Sequence, residues 1–393
     1  MIYCTITVKK NAYLAVTREV RGKRVMKKKK HLFIHIILLL TVPLVACGNK
    51  DGETADTASN QADTTNGETV SSDSTVEDEP EYELADFFPN TNNQYYEYVG
   101  EGIEYAGFTE YTEYAEGNRK QFRRNNTGTV VAEVVELQEN QIIVLYHEGE
   151  TYHRGNVLDA SDEEVEVLIQ APLEEGHSWE IPFDRTRTIT GLNVPVSTLH
   201  GEYETLEITI EWDNEEATQI DYYAPGIGLV KSIYKDADGL EVLTDLKSIT
   251  EQPLEHTIRF YYPDFEREEV VYTDKEIAMN TNDKTREAIE SAYKEVPGEL
   301  VPVLSENVEI NYLYLNEDGN VYVDFSRELI DEMNAGSGLE SMILTSLVNT
   351  IGGYYNVESV YLTVDGAPYQ SGHIWIEEGE FIPVTIDQAP AYE

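Results

Sequence analysis

Asp324, Ser326 and His373 bring together the three side-chain types of a nucleophilic hydrolase: a hydroxyl to attack, an imidazole to take its proton, and a carboxylate to orient the imidazole. Their surroundings do not support that chemistry. Val321-Tyr322-Val323-Asp324-Phe325-Ser326 lacks the glycine-flanked turn that presents a nucleophilic serine, and no glycine-rich loop offers oxyanion donors around it. Ser326 stands between a strand pattern and a short helical one, so it reads as a helix cap, with Asp324 as a strand-end or turn partner. His373, after Ser371-Gly372, reads as a hydrogen-bonded loop histidine. His147, His153, His177, His200 and His256 show no ligand spacing such as His-x-x-x-His, so no zinc site is expected. Asp236, Asp238 and Glu241 fall short of a calcium loop with its terminal bidentate glutamate, and Asp238-Gly239 between two alternating runs is a hairpin signal. No catalytic residue, metal ligand or cofactor is predicted, and the chain is read as a non-enzyme.

Cys47 is the exception, a residue with covalent chemistry written into its neighbours. Lys27 to Lys30 form a positive block after Met26, and Leu32 to Val45 form an apolar run of about 14 residues broken by Pro43. That run is short of the roughly 20 residues a spanning helix needs, and with small Ala46 it has the anatomy of a cleaved signal peptide at 26–46. Leu44-Val45-Ala46-Cys47 resembles the lipobox of bacterial lipoproteins. The resemblance implies diacylglycerol on the Cys47 thiol, cleavage just before it, an acylated (palmitate-type) anchor, and a place on the outer face of the cytoplasmic membrane. Residues 1–25 do not fit ahead of such a leader and are read as a mis-annotated upstream extension, with Met26 as the start.

Charge agrees with a covalent anchor. The formal net charge is −46, but ten Lys/Arg and one acid precede Cys47, so the chain from Cys47 onward carries 18 Lys/Arg against 73 Asp/Glu, a net of −55. Such a surface repels nucleic acid and anionic lipid alike. Only Cys4 and Cys47 occur, so no disulfide is available to the mature chain and its stability must come from packed cores. Residues 47–84, almost wholly Gly, Ser, Thr, Asn, Asp, Glu and Ala, read as a disordered acidic tether. At roughly 5 to 6 Å times the square root of residue number, it would set the first folded domain about 30 to 35 Å from the lipid.

The fold class expected is α+β: an N-terminal all-β antiparallel curved-sheet domain at 85–250, then a compact α+β domain at 255–385. In the first, alternation at Tyr96 and Tyr98, Val165 to Ile169, Ile208 to Trp212 and Val230 to Ile233, with turn signals between, predicts antiparallel strands. Ala171 to Trp179, Gly201 to Tyr203 and Tyr222 to Lys231 resemble a β-rich module of exported bacterial lipoproteins, which implies a long curved sheet. In the second, strands are predicted at Thr257 to Tyr262 and Glu268 to Thr273 around Pro263-Asp264, and at Val308 to Leu315 and Asn320 to Phe325 around Asp318-Gly319. A helix capped by Asp283 runs through Lys294, an amphipathic helix covers Ser341 to Ile351, and an apolar strand spans Val357 to Val364.

Phe260 to Asp264, Val321 to Ser326, Leu347 to Ile351, and Val357 to Gly366 with Gly372-His373 resemble the GerMN domain in order and spacing. The family's usual Leu-x-x-Gly-Pro after the first helix is replaced by Tyr293-Lys294-Glu295-Val296-Pro297-Gly298. The resemblance implies a role in cell-envelope assembly or recognition during sporulation or spore germination, with envelope or peptidoglycan-associated protein partners and a ring or homo-oligomer through this domain. The alternative is an extracytoplasmic binder of a lipid or other apolar ligand through the β domain, motivated by Tyr95, Tyr96, Tyr98, Tyr105, Tyr111 and Tyr114.

Overall fold

Alternating apolar and polar residues, rich in Thr and Tyr, favour a half-buried pleated surface, and strands make up the larger part of 94–251. The computed structural model describes residues 82–213 and 215–392; Cys47 and the expectations for residues 1–81 lie outside them. The strands are β1 (Gln94–Glu101), β2 (Phe108–Glu116), β3 (Arg119–Asn125), β4 (Val130–Leu137), β5 (Gln141–Gly149) and β6 (Glu166–Gln170), followed by β7 (Ser178–Ile181), β8 (Arg185–Ser197), β9 (Glu202–Trp212), β10 (Thr218–Ala224), β11 (Gly228–Lys235) and β12 (Glu241–Glu251). They form one 12-stranded antiparallel sheet of order β6-β5-β4-β3-β2-β1-β12-β11-β10-β9-β8-β7. Two meanders, β1 to β6 and β7 to β12, are thus joined where β1 pairs with β12, Tyr98 opposite Leu246. Asp236-Ala237-Asp238-Gly239 makes the β11–β12 turn: the Asp236 carboxylate accepts the Asp238 and Leu240 amides at 3.0 and 2.9 Å, and Gly239 has φ +85.

Register shifts interrupt many of the pairings, for example between Glu97 and Tyr98 and between Ile189 and Val194. Bulges increase local twist, and the sheet rolls until its two ends meet. Val135, Ile142 and Ile169 of the first meander share one core with Trp179, Ile189, Ile208 and Ile210 of the second. β6 and β7 are not neighbours in the ladder; side chains close the seam. The Trp179 indole N–H donates to the Val167 carbonyl at 3.1 Å, Arg187 donates to the Leu168 carbonyl at 3.2 Å, and Arg185 and Arg187 grip the two oxygens of Glu166 at 2.8 and 2.7 Å. Leu84 and Phe87, on a short 3-10 turn (Leu84–Phe87), also enter this core. The folded lobe therefore begins ahead of residue 85, and the end of the expected tether is packed against it.

The C-terminal lobe contains β13 (Leu254–Asp264), β14 (Glu269–Met279), α1 (Thr285–Lys294), β15 (Ile310–Leu315), β16 (Val321–Phe325), α2 (Glu328–Asp331), α3 (Ser337–Tyr355) and β17 (Ser359–Val364). β13 and β14 form a separate two-stranded ribbon, while β15, β16 and β17 are adjacent in a second sheet, β16–β17 parallel across the α2–α3 crossover. One core joins Phe260 and Tyr262 of the ribbon, Ile289 and Tyr293 of α1, Leu347 and Ile351 of α3, and Val321, Val323, Val360 and Leu362 of the sheet. α3 is four residues longer at each end than the amphipathic stretch predicted, and it buries Ser346, Asn349 and Thr350 as well as its apolar side. Those polar groups are used: the Tyr261 amide donates to Thr350 Oγ1 at 2.9 Å, and the Thr385 amide donates to Asn349 Oδ1 at 2.7 Å. At Gly352 a Cβ would sit 2.2 Å from Val384, so the C-terminal segment requires glycine there.

Three local expectations change. Asp283 does not cap α1; its carboxylate accepts the Asn280 amide at 2.7 Å, and the helix starts after Lys284. Ser326 does not cap α2; its hydroxyl accepts the Glu309 amide at 3.0 Å. The ribbon turn lies beyond Pro263-Asp264, because Pro263 pairs with Val270 and Asp264 accepts the Glu266 and Arg267 amides at 3.0 and 3.1 Å. Among the described residues the protein is mostly β, 48% strand and 13% helix, and the α+β description fits the C-terminal lobe alone.

Removing the Glu166 carboxylate leaves two largely buried guanidinium groups at the seam without their shared anion. Glu166→Ala is expected to cost about 3 kcal/mol or more, read as a lower urea midpoint. Trp179 emission should redden as the seam opens.

Candidate functional site

The most constrained polar site lies where the lobes meet, on residues that sequence patterning did not single out. Glu113 of β2 faces away from the rolled core and is 0% exposed. Its carboxylate accepts Gln121 Nε2 at 2.8 Å and Arg123 Nε at 2.6 Å, both from β3. Arg154, from the β5–β6 connection, is also 0% exposed, with Nε 3.9 Å from the same carboxylate and its guanidinium 4.5 Å over the Tyr114 ring. Its terminal nitrogens donate to the carbonyls of Glu113 and Asn280, both at 2.8 Å, and of Asp283. Two guanidinium groups thus share one carboxylate, and peptide carbonyls from both lobes solvate the remaining charge. The main chain joins in: the Arg154 amide donates to Tyr354 Oη at 2.8 Å and its carbonyl accepts Thr285 Oγ1 at 2.9 Å.

Around this centre, the chain from Met279 to Thr285 is laced to β2. Tyr111 Oη donates to the Met279 carbonyl at 3.3 Å, Thr281 Oγ1 donates to the Thr112 carbonyl at 2.7 Å, and Asn282 bonds both the amide and the carbonyl of Ala115. His153 packs against Tyr355, and His256 against Tyr354. Burial pushes the His256 imidazole down to about 3, with Arg123 and Arg154 acting in the same direction. Burial and Arg123 also lower His153, opposed by Glu148. His256 Nε2 is buried without a hydrogen-bond partner.

The structure does not assemble Asp324, Ser326 and His373 into a triad. Asp324 accepts Thr363 Oγ1 at 2.5 Å, the Gly366 amide at 2.8 Å and Asn311 Nδ2 at 2.8 Å; Ser326 is bonded to the Glu309 amide, and His373 is exposed, its own amide donating to Ser371 Oγ. No group of three or more His, Cys, Asp or Glu suited to a metal occurs among the described residues. A cleft of about 260 Å³ lies between Val301–Val308, α2 and α3, floored by Val303, Leu329 and Ile343 and rimmed by Glu328 and Glu332. The Glu332 carboxylate is held below the usual carboxylate range by Ser305 and Asn307.

The tyrosines that motivated a ligand site divide between the two faces of the large sheet. Tyr98 lies on the core side with its hydroxyl on the Leu229 carbonyl at 2.8 Å; Tyr111 and Tyr114 belong to the lobe junction; Tyr95 is half-buried and Tyr105 exposed. On the concave side, Arg124 is held between Glu110 and Glu133 at 2.6 and 3.3 Å, over the Phe108 ring. Burial pushes Lys120 down to about 8 where it ties the Phe88 and Pro89 carbonyls. No helix among the described residues is long and apolar enough to cross a membrane.

The fold defines a two-lobed β-rich chain: a rolled antiparallel sheet carrying a helix-and-sheet module. Within it, residues 259–370 match the family model Germane, described as sporulation and spore germination, so the C-terminal lobe carries a GerMN-related domain. At the helix end where the family element is altered, Lys275 Nζ donates to the Ala292 carbonyl at 2.6 Å and to the Glu295 carbonyl. No curated protein matches the chain. Among solved structures, tandem GerMN domains of the sporulation protein GerM from Bacillus subtilis are 20% identical over 36% of this chain and 48% of that one, TM-score 0.27. The first GerMN domain of the same protein is 18% identical over 34% and 97%, TM-score 0.24. A protein of YmcC-like fold from Bacteroides fragilis is 14% identical over 42% and 98%, TM-score 0.28. At TM-scores this low, none of the three bears on what the chain does.

Glu113→Gln is expected to cost about 3 kcal/mol or more, since it leaves Arg123 and Arg154 buried without an anion; limited proteolysis between the lobes near residues 251–254 should accelerate with it. A pH effect follows from His256. It stays neutral in the folded chain but titrates near 6.5 once unfolded. Its contribution is complete above pH 6.5 and is lost as pH falls below that value towards 3, by up to about 1.4 kcal/mol per unit. Thermal melts of His256→Leu should therefore show a shallower acid limb between pH 6.5 and 5 than the parent.

Proposed function

We propose that this chain is a non-enzymatic lipoprotein on the outer face of the cytoplasmic membrane, acting in cell-envelope assembly or recognition during sporulation or spore germination. The Germane match over 259–370 carries the biological half of this reading. The anchor half rests on sequence: the basic and apolar leader, Leu44-Val45-Ala46-Cys47, and the acidic stretch after it. A body of net charge −55 would be expelled from an anionic membrane by electrostatics. One acyl chain gives only marginal binding, whereas two give a stable anchor, and diacylglycerol on Cys47 supplies two.

The non-enzymatic reading is supported by how the candidate groups are used. Asp324, Ser326 and Glu113 each spend their polar atoms on nearby backbone or side chains, as structural groups do. The partners would be envelope proteins, including peptidoglycan-associated ones, or further copies of the chain meeting through the C-terminal lobe.

Three measurements test the reading. Cys47→Ala should move the protein from the membrane fraction to the soluble fraction and leave its leader uncleaved; normal processing and membrane retention would remove the lipoprotein claim. A clean deletion in a spore-forming source should lower the yield of heat-resistant or germinating spores, and unchanged spores count against the biological role. Purified protein should release no soluble fragments from peptidoglycan; release would mean an enzyme.

A further inference from the structure

The outer face of the C-terminal sheet carries an aromatic row in which Tyr312 and Tyr314 are exposed and Tyr322, Tyr361 and Phe381 half-buried. Register places Tyr314 of β15 opposite Tyr322 of β16, and Tyr322 beside Tyr361 of β17. Phe381 extends the row, with successive ring centroids 5.6, 5.2 and 5.3 Å apart, and Tyr312 joins Tyr314 at 5.8 Å. Tyr312, Tyr314 and Leu315 are 37%, 46% and 37% exposed. β15 is the terminal strand in the sheet order, and among the described residues no strand pairs with its free side. Its first residue is tied off on that side: Arg286 donates to the Ile310 carbonyl at 2.6 Å and Glu290 accepts the Ile310 amide at 2.9 Å.

Edge strands usually carry lysine, proline or a bulge that discourages pairing. Asn311 to Leu315 reads Asn-Tyr-Leu-Tyr-Leu, with no charge and no proline. The charge around it is one-sided. From Glu295 to the C-terminus the sequence has 18 Asp/Glu and a single cation, Arg327. Glu317 and Asp318 form the β15–β16 turn at one end of the row, where Asp318 accepts Tyr322 Oη at 2.8 Å and the Asn320 amide at 2.9 Å; Glu377, Glu378 and Glu380 precede Phe381 at the other. Exposed tyrosine faces beside carboxylates attract cations through the ring quadrupole and by direct pairing, and an open strand edge accepts an extended main chain.

We propose that the β15 edge and its aromatic row dock an extended, lysine- and arginine-rich polypeptide segment of a partner by strand addition. The partner's main chain pairs with Asn311 to Leu315. Its side chains on one face recur every second residue, so basic stems cross Tyr312 and Tyr314 with their charged ends at Glu317 and Asp318. This rests on the reading of the C-terminal lobe as an assembly module, but it is judged on purified protein, independently of any spore phenotype.

The test uses the chain from Cys47 onward with Cys47→Ser, and a fluorescein-labelled ten-residue peptide of alternating arginine and valine as the probe. Fluorescence anisotropy should report salt-sensitive binding, and hydrogen exchange should slow at residues 311–315 when the peptide is added. Tyr312→Ser with Tyr314→Ser should weaken binding about tenfold, the equivalent of two lost cation–π contacts. Leu315→Lys, which keeps both rings but places a cation on the edge, should weaken it as well. Glu174→Gln with Glu175→Gln, removing two exposed acids from the β lobe, should leave it unchanged. Equal losses from the β-lobe and edge variants would reduce the effect to general charge and overturn the proposal. So would peptide binding without protection at 311–315, or tighter binding of a de-N-acetylated glycan hexamer than of the peptide.

Discussion

The buried Glu113–Arg123–Arg154 centre is the interaction on which the two lobes depend. It places a single carboxylate among two guanidinium groups where water does not reach. An arrangement with more cations than anions survives burial because peptide carbonyls take up the terminal guanidinium nitrogens, while Arg154 Nε makes no hydrogen bond and has the Glu113 carboxylate at 3.9 Å. Here those carbonyls come from both lobes: Thr151, His153 and Glu113 on one side, Asn280 and Asp283 on the other. Neither lobe alone completes the set, so the C-terminal lobe is seated on the rolled sheet by the demand to satisfy Arg154.

The same logic of side chains doing the work of a ladder governs the rolled sheet. Among the described residues its two meanders meet through strand pairing at β1 and β12; at the other end Trp179, Arg185 and Arg187 reach across to β6. Rolling hides one face and leaves the opposite face of β2 and β3 free to receive the second lobe. Leu84 and Phe87 join the hidden core, which ties the start of the described chain to the rolled lobe.

Sequence by itself determined the acidic composition, the strand-rich first part, the GerMN pattern of the second, and the tight turns at Asp236–Gly239 and Asp318-Gly319. These are legible because they are local: hydrophobic period, turn chemistry and spacing act over a few residues. Strand ends and caps were less legible. Asp283 and Ser326 have cap chemistry, yet each found a nearer amide, and α3 outgrew its amphipathic stretch because the ribbon and the sheet cover it from both sides. Tertiary structure alone decided that β1 pairs with β12, that β6 and β7 close through Glu166, and that Glu113, Arg123 and Arg154 meet. In a chain with 74 acids a functional carboxylate carries no mark of its own. Glu113 stands out only when the fold removes it from water and makes its charge expensive to leave unpaired.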